Sequence, residues 1–253
     1  MNLQRPFPDL GNIRLVIFDF DGTLSLLREG WATIMARQGV ELLDDPSRQA
    51  ELELEMLMLS GKPSIVQMQR LIDIAQAAGK PHPSDAELLH EFQQRLAGIL
   101  NARLNAVSSS PRGAFCVPGA IEILDEFKHL GIPCVLVSGT LKDYVLAEAE
   151  LLELLHYFGD DVYAPEANNS AFTKIDVISG LLRQRGLEGA QLVGFGDGYA
   201  ETVAVRELGG YVVGLATRDI GEDGMNTMKE GMLYRLGADI VLPNYLPLLG
   251  GDE

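Results

Sequence analysis

The chain has 253 residues, 47% hydrophobic and 22% charged, a balance that suits a folded globular protein and excludes disordered, collagen-like and low-complexity classes. Its length allows one domain with a large insertion or two modest domains. Against 36 Asp and Glu stand only 20 Lys and Arg, a formal charge of −16 that argues against nucleic-acid and anionic-membrane partners, so any anionic ligand must be met locally.

Met1 to Leu10 carries Arg5 and two prolines but no apolar h-region, and no later run reaches the roughly 18 residues of a membrane span. Cys116 and Cys134 stand beside apolar runs without disulfide or metal-ligand spacing. These features predict a cytoplasmic protein with two buried thiols.

Leu15 to Phe18 is the first of five nearly continuous apolar runs. It is followed, from about Leu26 to Ala114, by a segment with no convincing strand and four amphipathic helical stretches, Glu29 to Arg37, Ser47 to Leu59, Ile65 to Ala78 and Asp85 to Val107. Pro81, Pro83 and the stretch Ser108 to Gly113 supply breakers and a hinge. Four apolar runs come after it: Cys134 to Val137, Leu192 to Phe195, Tyr211 to Leu215 and Ile240 to Leu242, with Asp161 to Ala164 a shorter candidate. Helical patterns at Gly119 to Leu130, Thr140 to Leu155, Thr173 to Arg185 and Met225 to Leu236 separate them. Unbroken apolar runs are strands covered on both faces, so the repeated βα order predicts a doubly wound, Rossmann-like parallel sheet of the α/β class. Residues 1–25 and 115–253 form its core, and residues 26–114 an inserted all-α domain.

Ligands of an open parallel sheet bind beyond the carboxyl ends of its strands. Three such ends carry polar residues: Asp19-Phe20-Asp21-Gly22-Thr23, Ser138-Gly139-Thr140, and Gly196-Asp197-Gly198 with Glu201 one helical turn on. Two carboxylates 4 Å apart repel by roughly 4 kcal/mol at an effective dielectric near 20, so something positive must offset them. Mg²⁺ suits such a site, because it binds one or two carboxylates, keeps several waters and accepts phosphate oxygens. Lys174 brings a second positive charge.

This ordered set resembles the haloacid dehalogenase (HAD) superfamily at all four of its motif positions: Asp19 to Thr23, Ser138, Lys174, and Gly196 to Glu201. The helical insertion after the first motif is similar to that superfamily's C1 cap, found in phosphoglycolate phosphatase and β-phosphoglucomutase. The resemblance implies that Asp19 is the nucleophile and Asp21 the general acid and base. It implies that Ser138, Gly139 and Lys174 bind the transferring phosphoryl group. Asp19, the Asp21 carbonyl and Asp197 would hold Mg²⁺, and Glu201, where an aspartate is commoner, would ligate through water or orient Lys174. An acidic residue at position 21 favours a phosphatase or phosphomutase, because a departing alkoxide needs a proton. The expected activity is hydrolysis of a small phosphorylated metabolite through an aspartyl phosphate.

Taken singly, these features are ordinary: a turn, a helix cap, a surface lysine. Their order along the chain makes them a site. In the helical insertion, Arg28 beside Trp31, and Lys62 in the loop Ser60-Gly61-Lys62-Pro63, are candidates for meeting the substrate's leaving group, against a reading as a snorkelling arginine and a solvated loop. Gly194 to Tyr199 is no dinucleotide fingerprint, since Tyr199 replaces the third glycine. A phosphomutase of a sugar phosphate would use the same aspartyl phosphate, and a phosphoacceptor scaffold would form it without turnover. The pattern leaves the oligomeric state open.

Overall fold

A computed structural model describes residues 5, 7–166 and 172–250 of the protein. Residues 1–4 and 6 fall outside that set, so the reading of Met1 to Leu10 as lacking a leader lies in part outside the described residues.

Six strands form one all-parallel sheet: β1 (Leu15–Phe18), β2 (Cys134–Val137), β3 (Val162–Tyr163), β4 (Leu192–Gly196), β5 (Tyr211–Leu215) and β6 (Ile240–Leu242). Their spatial order is β3-β2-β1-β4-β5-β6. Central β1 pairs with β2 on one side, Val16 opposite Cys134, and with β4 on the other, Val16 opposite Val193. All four β1 residues are buried, and alternate ones serve opposite faces. Val16 and Phe18 pack with Leu136, Phe195 and Val213 against α5 (Ala120–His129) and α6 (Lys142–Leu151). Leu15 and Ile17 belong to the second core, with residues of α7 (Lys174–Arg185), α8 (Tyr199–Glu207) and α9 (Thr227–Leu236). Burial on both faces is why these strands read as unbroken apolar runs.

Between β1 and α5 the described structure is helical: α1 (Trp31–Leu43), α2 (Gln49–Leu57), α3 (Ser64–Ala77) and α4 (Asp85–Val107). α4 has the boundaries expected and starts on a capping box in which Ser84 and Glu87 satisfy each other's backbone N–H groups. α1 does not start at Glu29. The carbonyls of Leu26, Leu27 and Glu29 instead accept hydrogen bonds from the Arg103 guanidinium, and Gly30 caps a helix that begins at Trp31, two residues later than expected. α1 also runs past Arg37 to Leu43, because Gly39 lets Leu52 and Leu71 close on the helix. α6 begins at Lys142 rather than Thr140, whose hydroxyl is engaged elsewhere.

Cys116 and Cys134 are free and buried, and burial pushes both thiols up to about 12. Among the described residues no helix is long and apolar enough to cross a membrane.

Candidate active site

The order of strands reverses at β1, and the polar residues that end β1, β2 and β4 meet there. Asp19, 8% exposed, follows β1 directly and donates its N–H to Phe195 O. The chain then folds into a tight turn: Leu24 and Ser25 donate to Phe20 O, and Gly22 donates to Ser25 O. The buried Tyr245 hydroxyl donates to Thr23 O and supports the turn from below. Gly22 has φ 70°, and a Cβ there would stand 2.0 Å from Asp197 Oδ2. The first motif is thus locked against the fourth, and only glycine fits between them.

Thr173 caps α7 by accepting from the Asp176 N–H, which fixes Lys174 as the first residue of the helix. Lys174 is buried, with Nζ 2.7 Å from Asp19 Oδ1 and 2.8 Å from Glu201 Oε2. The other oxygen of Glu201 accepts the Gly198 N–H at 2.5 Å. Burial alone would raise Glu201, but Lys174 and the Gly198 amide outweigh it and hold the carboxyl below its ordinary value. Burial works against the Lys174 ammonium too, yet Asp19 and Glu201 keep it charged.

Asp21 has a different environment. Its Oδ2 accepts from the Thr140 hydroxyl at 2.7 Å, while Oδ1 is buried without a hydrogen-bond partner and lies 3.7 Å from Arg28 Nε. Burial raises this carboxyl above its ordinary value against the opposing pull of Arg28 and Thr140, which favours a carboxylic acid able to donate a proton. Ser138 is fully buried, and its Oγ accepts from the Thr140 N–H.

Arg28 reaches this site but is not free. Glu148 of α6 grips its guanidinium at both Nε and Nη2, and the Tyr144 ring lies 5.5 Å beneath it. Lys62 is exposed. Its loop nevertheless meets the fourth motif: Ser60 Oγ accepts from the Tyr199 N–H at 2.8 Å, and a Cβ at Gly61 would stand 2.4 Å from that of Ala200.

Four residues at the site were not foreseen in these contacts: Thr140 on Asp21, Glu148 on Arg28, and Glu29 and Lys229 beside Asp197. Thr140 was visible next to Ser138. Lys229, in the first turn of a helix with unremarkable polarity, carries no local signal at all.

Asp19, Asp197 and Glu201 each offer a carboxylate oxygen, and these atoms lie within 4.8 Å of one another. Glu201 already satisfies both its oxygens on Lys174 and Gly198, whereas Asp197 has Oδ2 on Lys229. The Asp21 carbonyl takes part in none of the backbone bonds that close the turn. An all-oxygen set with two carboxylates not both already satisfied fits a hard divalent cation such as Mg²⁺, which completes its shell with waters.

Removing such a cation has a pH signature. Burial, opposed by Lys229, pushes Asp197 up to about 6, and burial, opposed by Lys174, also raises Asp19 well above its ordinary value. The folded chain therefore binds protons that an unfolded chain releases near pH ~4, so this contribution to stability is full below pH ~4 and lost as pH rises through about 6. For Asp197 the loss by neutral pH is on the order of 3 kcal/mol. Metal-stripped protein should melt at a lower temperature at about pH 7.5 than at about pH 5, and Mg²⁺ should raise the melting temperature more at the higher pH. Calorimetric scans with chelator and with MgCl₂ check this; a flat profile indifferent to Mg²⁺ contradicts it.

Comparison with known proteins agrees with this arrangement. The haloacid dehalogenase-like hydrolase family profile matches residues 13–209. The chain belongs to this family of hydrolases, and the matched residues span strands β1 to β4 and all the motif residues. Similar solved structures include a conserved haloacid dehalogenase-like protein of unknown function from Agrobacterium tumefaciens, with TM-score 0.64, 18% identity, and coverage of 94% of this chain and 97% of that one. Another is a predicted phosphoglycolate phosphatase from Haemophilus somnus, with TM-score 0.60, 19% identity, and coverage of 94% and 97%. A third is a HAD family hydrolase from Deinococcus radiodurans with bound phosphate and sodium, with TM-score 0.59, 20% identity, and coverage of 94% and 93%. At such identities the likeness is one of fold. No curated protein matches the sequence significantly.

Proposed function

We propose that the protein is a Mg²⁺-dependent phosphomonoester hydrolase that acts on a small phosphorylated metabolite through an aspartyl phosphate. The observation that carries this reading is Asp19: a buried carboxylate at the end of the central strand, 2.7 Å from a buried lysine and within 4.8 Å of two further acids. The phosphate bound in the Deinococcus radiodurans relative supports it.

Asp19, Asp197 and the Asp21 carbonyl would hold Mg²⁺, whose charge supplies neutralisation of the phosphoryl oxygens. The Asp19 carboxylate attacks phosphorus, forming an acyl phosphate as the bond to the leaving oxygen breaks. Asp21 gives its proton to that oxygen. Ser138 and Gly139, in the loop after β2, bind the transferring group together with Lys174. Asp21, now ionised, takes a proton from water, whose oxygen attacks phosphorus and releases phosphate and the Asp19 carboxylate. Glu201 holds Lys174 rather than substrate, which accounts for the longer side chain in place of aspartate.

Residues 26–114 act as the cap that excludes water, with the loop at Ser60 and Gly61 seated on the start of α8. Arg28, spent on Glu148, helps keep the Asp21 region electropositive; Lys62 is the cap cation left to meet a leaving group. A leaving group small enough to fit beneath this cover suits a metabolite and not a folded phosphoprotein.

Asp21→Asn tests the reading. It should slow alkyl phosphates by about 10²-fold and p-nitrophenyl phosphate far less, because the nitrophenolate leaves without a proton. Steady-state phosphate release with Mg²⁺ measures both. Equal losses contradict the acid role, and sugar-phosphate isomerisation outrunning phosphate release would make the enzyme a phosphomutase.

A further inference from the structure

Outside the four motifs, the buried pair Lys229 and Glu29 has no part in the chemistry above, yet it meets the fourth motif at Asp197. Lys229 lies in the first turn of α9, which Asn226 caps by accepting from the N–H groups of Met228 and Lys229. Lys229 is 1% exposed. Its Nζ donates to Glu29 Oε1 at 2.9 Å and to Asp197 Oδ2 at 2.8 Å. The three residues come from the stretch leading into α1, the end of β4 and the far carboxyl-terminal helix. The second oxygen of Glu29, Oε2, is buried without a partner. The backbone of Glu29 is fixed as well, since its carbonyl accepts from Arg103, whose guanidinium also clasps Asp219 at two oxygens.

Packing does not account for a lysine here. Taking an ammonium and two carboxylates out of water costs several kcal/mol per ion, and apolar side chains of similar volume often serve stability as well or better. A methionine would fill the space of Lys229. What methionine cannot do is hold Asp197. Lys229 occupies Oδ2 and leaves Oδ1 for another partner, while Gly22 closes the same carboxylate from the opposite chain segment.

We propose that Lys229 is the positioning residue of the cation site: it fixes Asp197 by one oxygen so that the other is presented to Mg²⁺, and Glu29 holds Lys229 in place. The proposal rests on the Mg²⁺ reading above. It makes Lys229 a residue that acts through Asp197 and not on substrate. Partners that orient metal ligands from behind are worth 10- to 100-fold in metal affinity, and the loss here should be of that order, roughly 10-fold or more.

The test is titration of MgCl₂ into metal-stripped full-length protein by isothermal calorimetry, with folding checked by circular dichroism. Wild type should bind Mg²⁺ and Asp197→Asn should not. Lys229→Met should bind at least about 10-fold more weakly. The direction is diagnostic, because removing a positive charge near the cation would by Coulomb's law alone tighten binding. Affinity equal to wild type, or tighter, overturns the proposal. Should Lys229→Met fail to fold, the double variant Lys229→Met with Glu29→Gln, which strands no Glu29 charge, takes its place with the same expectation. Should that fail too, Glu29→Gln decides: weakening by about 3-fold or more supports the proposal, and unchanged affinity overturns it. Wild type that takes up no Mg²⁺ sinks the functional reading itself, whereas loss confined to Asp197→Asn sinks only the role of Lys229.

Discussion

Asp19→Asn is expected to lower turnover by at least about 10⁴-fold while leaving the protein folded. The amide keeps the shape of the carboxylate and can still accept from Lys174, so the geometry at the end of β1 survives. Its oxygen, however, has lost the charge that makes it a nucleophile, and the acyl phosphate cannot form. Stability at neutral pH should not fall with activity. Burial raises the Asp19 carboxyl well above its ordinary value, with Glu201 and Asp197 adding repulsion, so the neutral amide relieves a strain even as it gives up part of its pairing with Lys174. The measurement pairs Mg²⁺-dependent phosphate release with a melting scan, and acid-quench trapping of labelled phosphoryl on the wild-type enzyme. Turnover of the variant within about tenfold of wild type would leave no role for an aspartyl phosphate.

The parts of this site that could be read from the sequence are those in which chain order and spatial order coincide. Strands β1, β2 and β4 end on Asp19, Ser138 and Asp197, and a parallel sheet delivers strand ends to one edge whatever the helices do. The same rule placed the sheet itself: unbroken apolar runs follow from burial on both faces, and all five were strands. Lys174 was found as the third motif position of the resemblance, at the start of the helical pattern Thr173 to Arg185, where Thr173 caps the helix. Contacts that depend on how helices lie across the sheet carry no such signal. Lys229 approaches Asp197 only because α9 packs on β5 and β6, and Glu148 meets Arg28 only because α6 follows the Ser138 loop back over the sheet. Arg28 shows the cost of that blindness. As a cation beside the first motif it reads either as a contact for the leaving group or as a snorkelling arginine, and the fold instead commits it to Glu148 and Asp21. The start of α1 was misplaced for a related reason, since the carbonyls of Leu26, Leu27 and Glu29 are claimed by Arg103 from a helix more than seventy residues on.

Lys174→Met should cost about 3–5 kcal/mol in stability, because it leaves Asp19 and Glu201 buried with no counter-ion. For a chain of this length that corresponds to a fall in melting temperature of roughly 6–20 °C. Turnover should be lost as well, since Asp19 would be neither oriented nor kept ionised. The pH dependence separates a stranded charge from a mere packing defect. In the wild type, Lys174 and the Gly198 amide keep the Glu201 carboxyl low, so its pairing stabilises the fold above the ordinary carboxylate range and is lost as pH falls below it. Without the lysine both carboxyls rise, and a raised carboxyl destabilises the fold increasingly as pH climbs through its folded value. The deficit of the variant should therefore be largest near pH ~8 and shrink toward pH ~5, where Asp19 and Glu201 take up protons. Denaturant unfolding of both proteins across that range, in chelator, measures it. Added Mg²⁺ should recover part of the deficit through Asp19. A deficit below about 1 kcal/mol, or one that does not vary with pH, would mean that these carboxylates are already neutral in the wild type, and Asp19 could not then serve as the nucleophile.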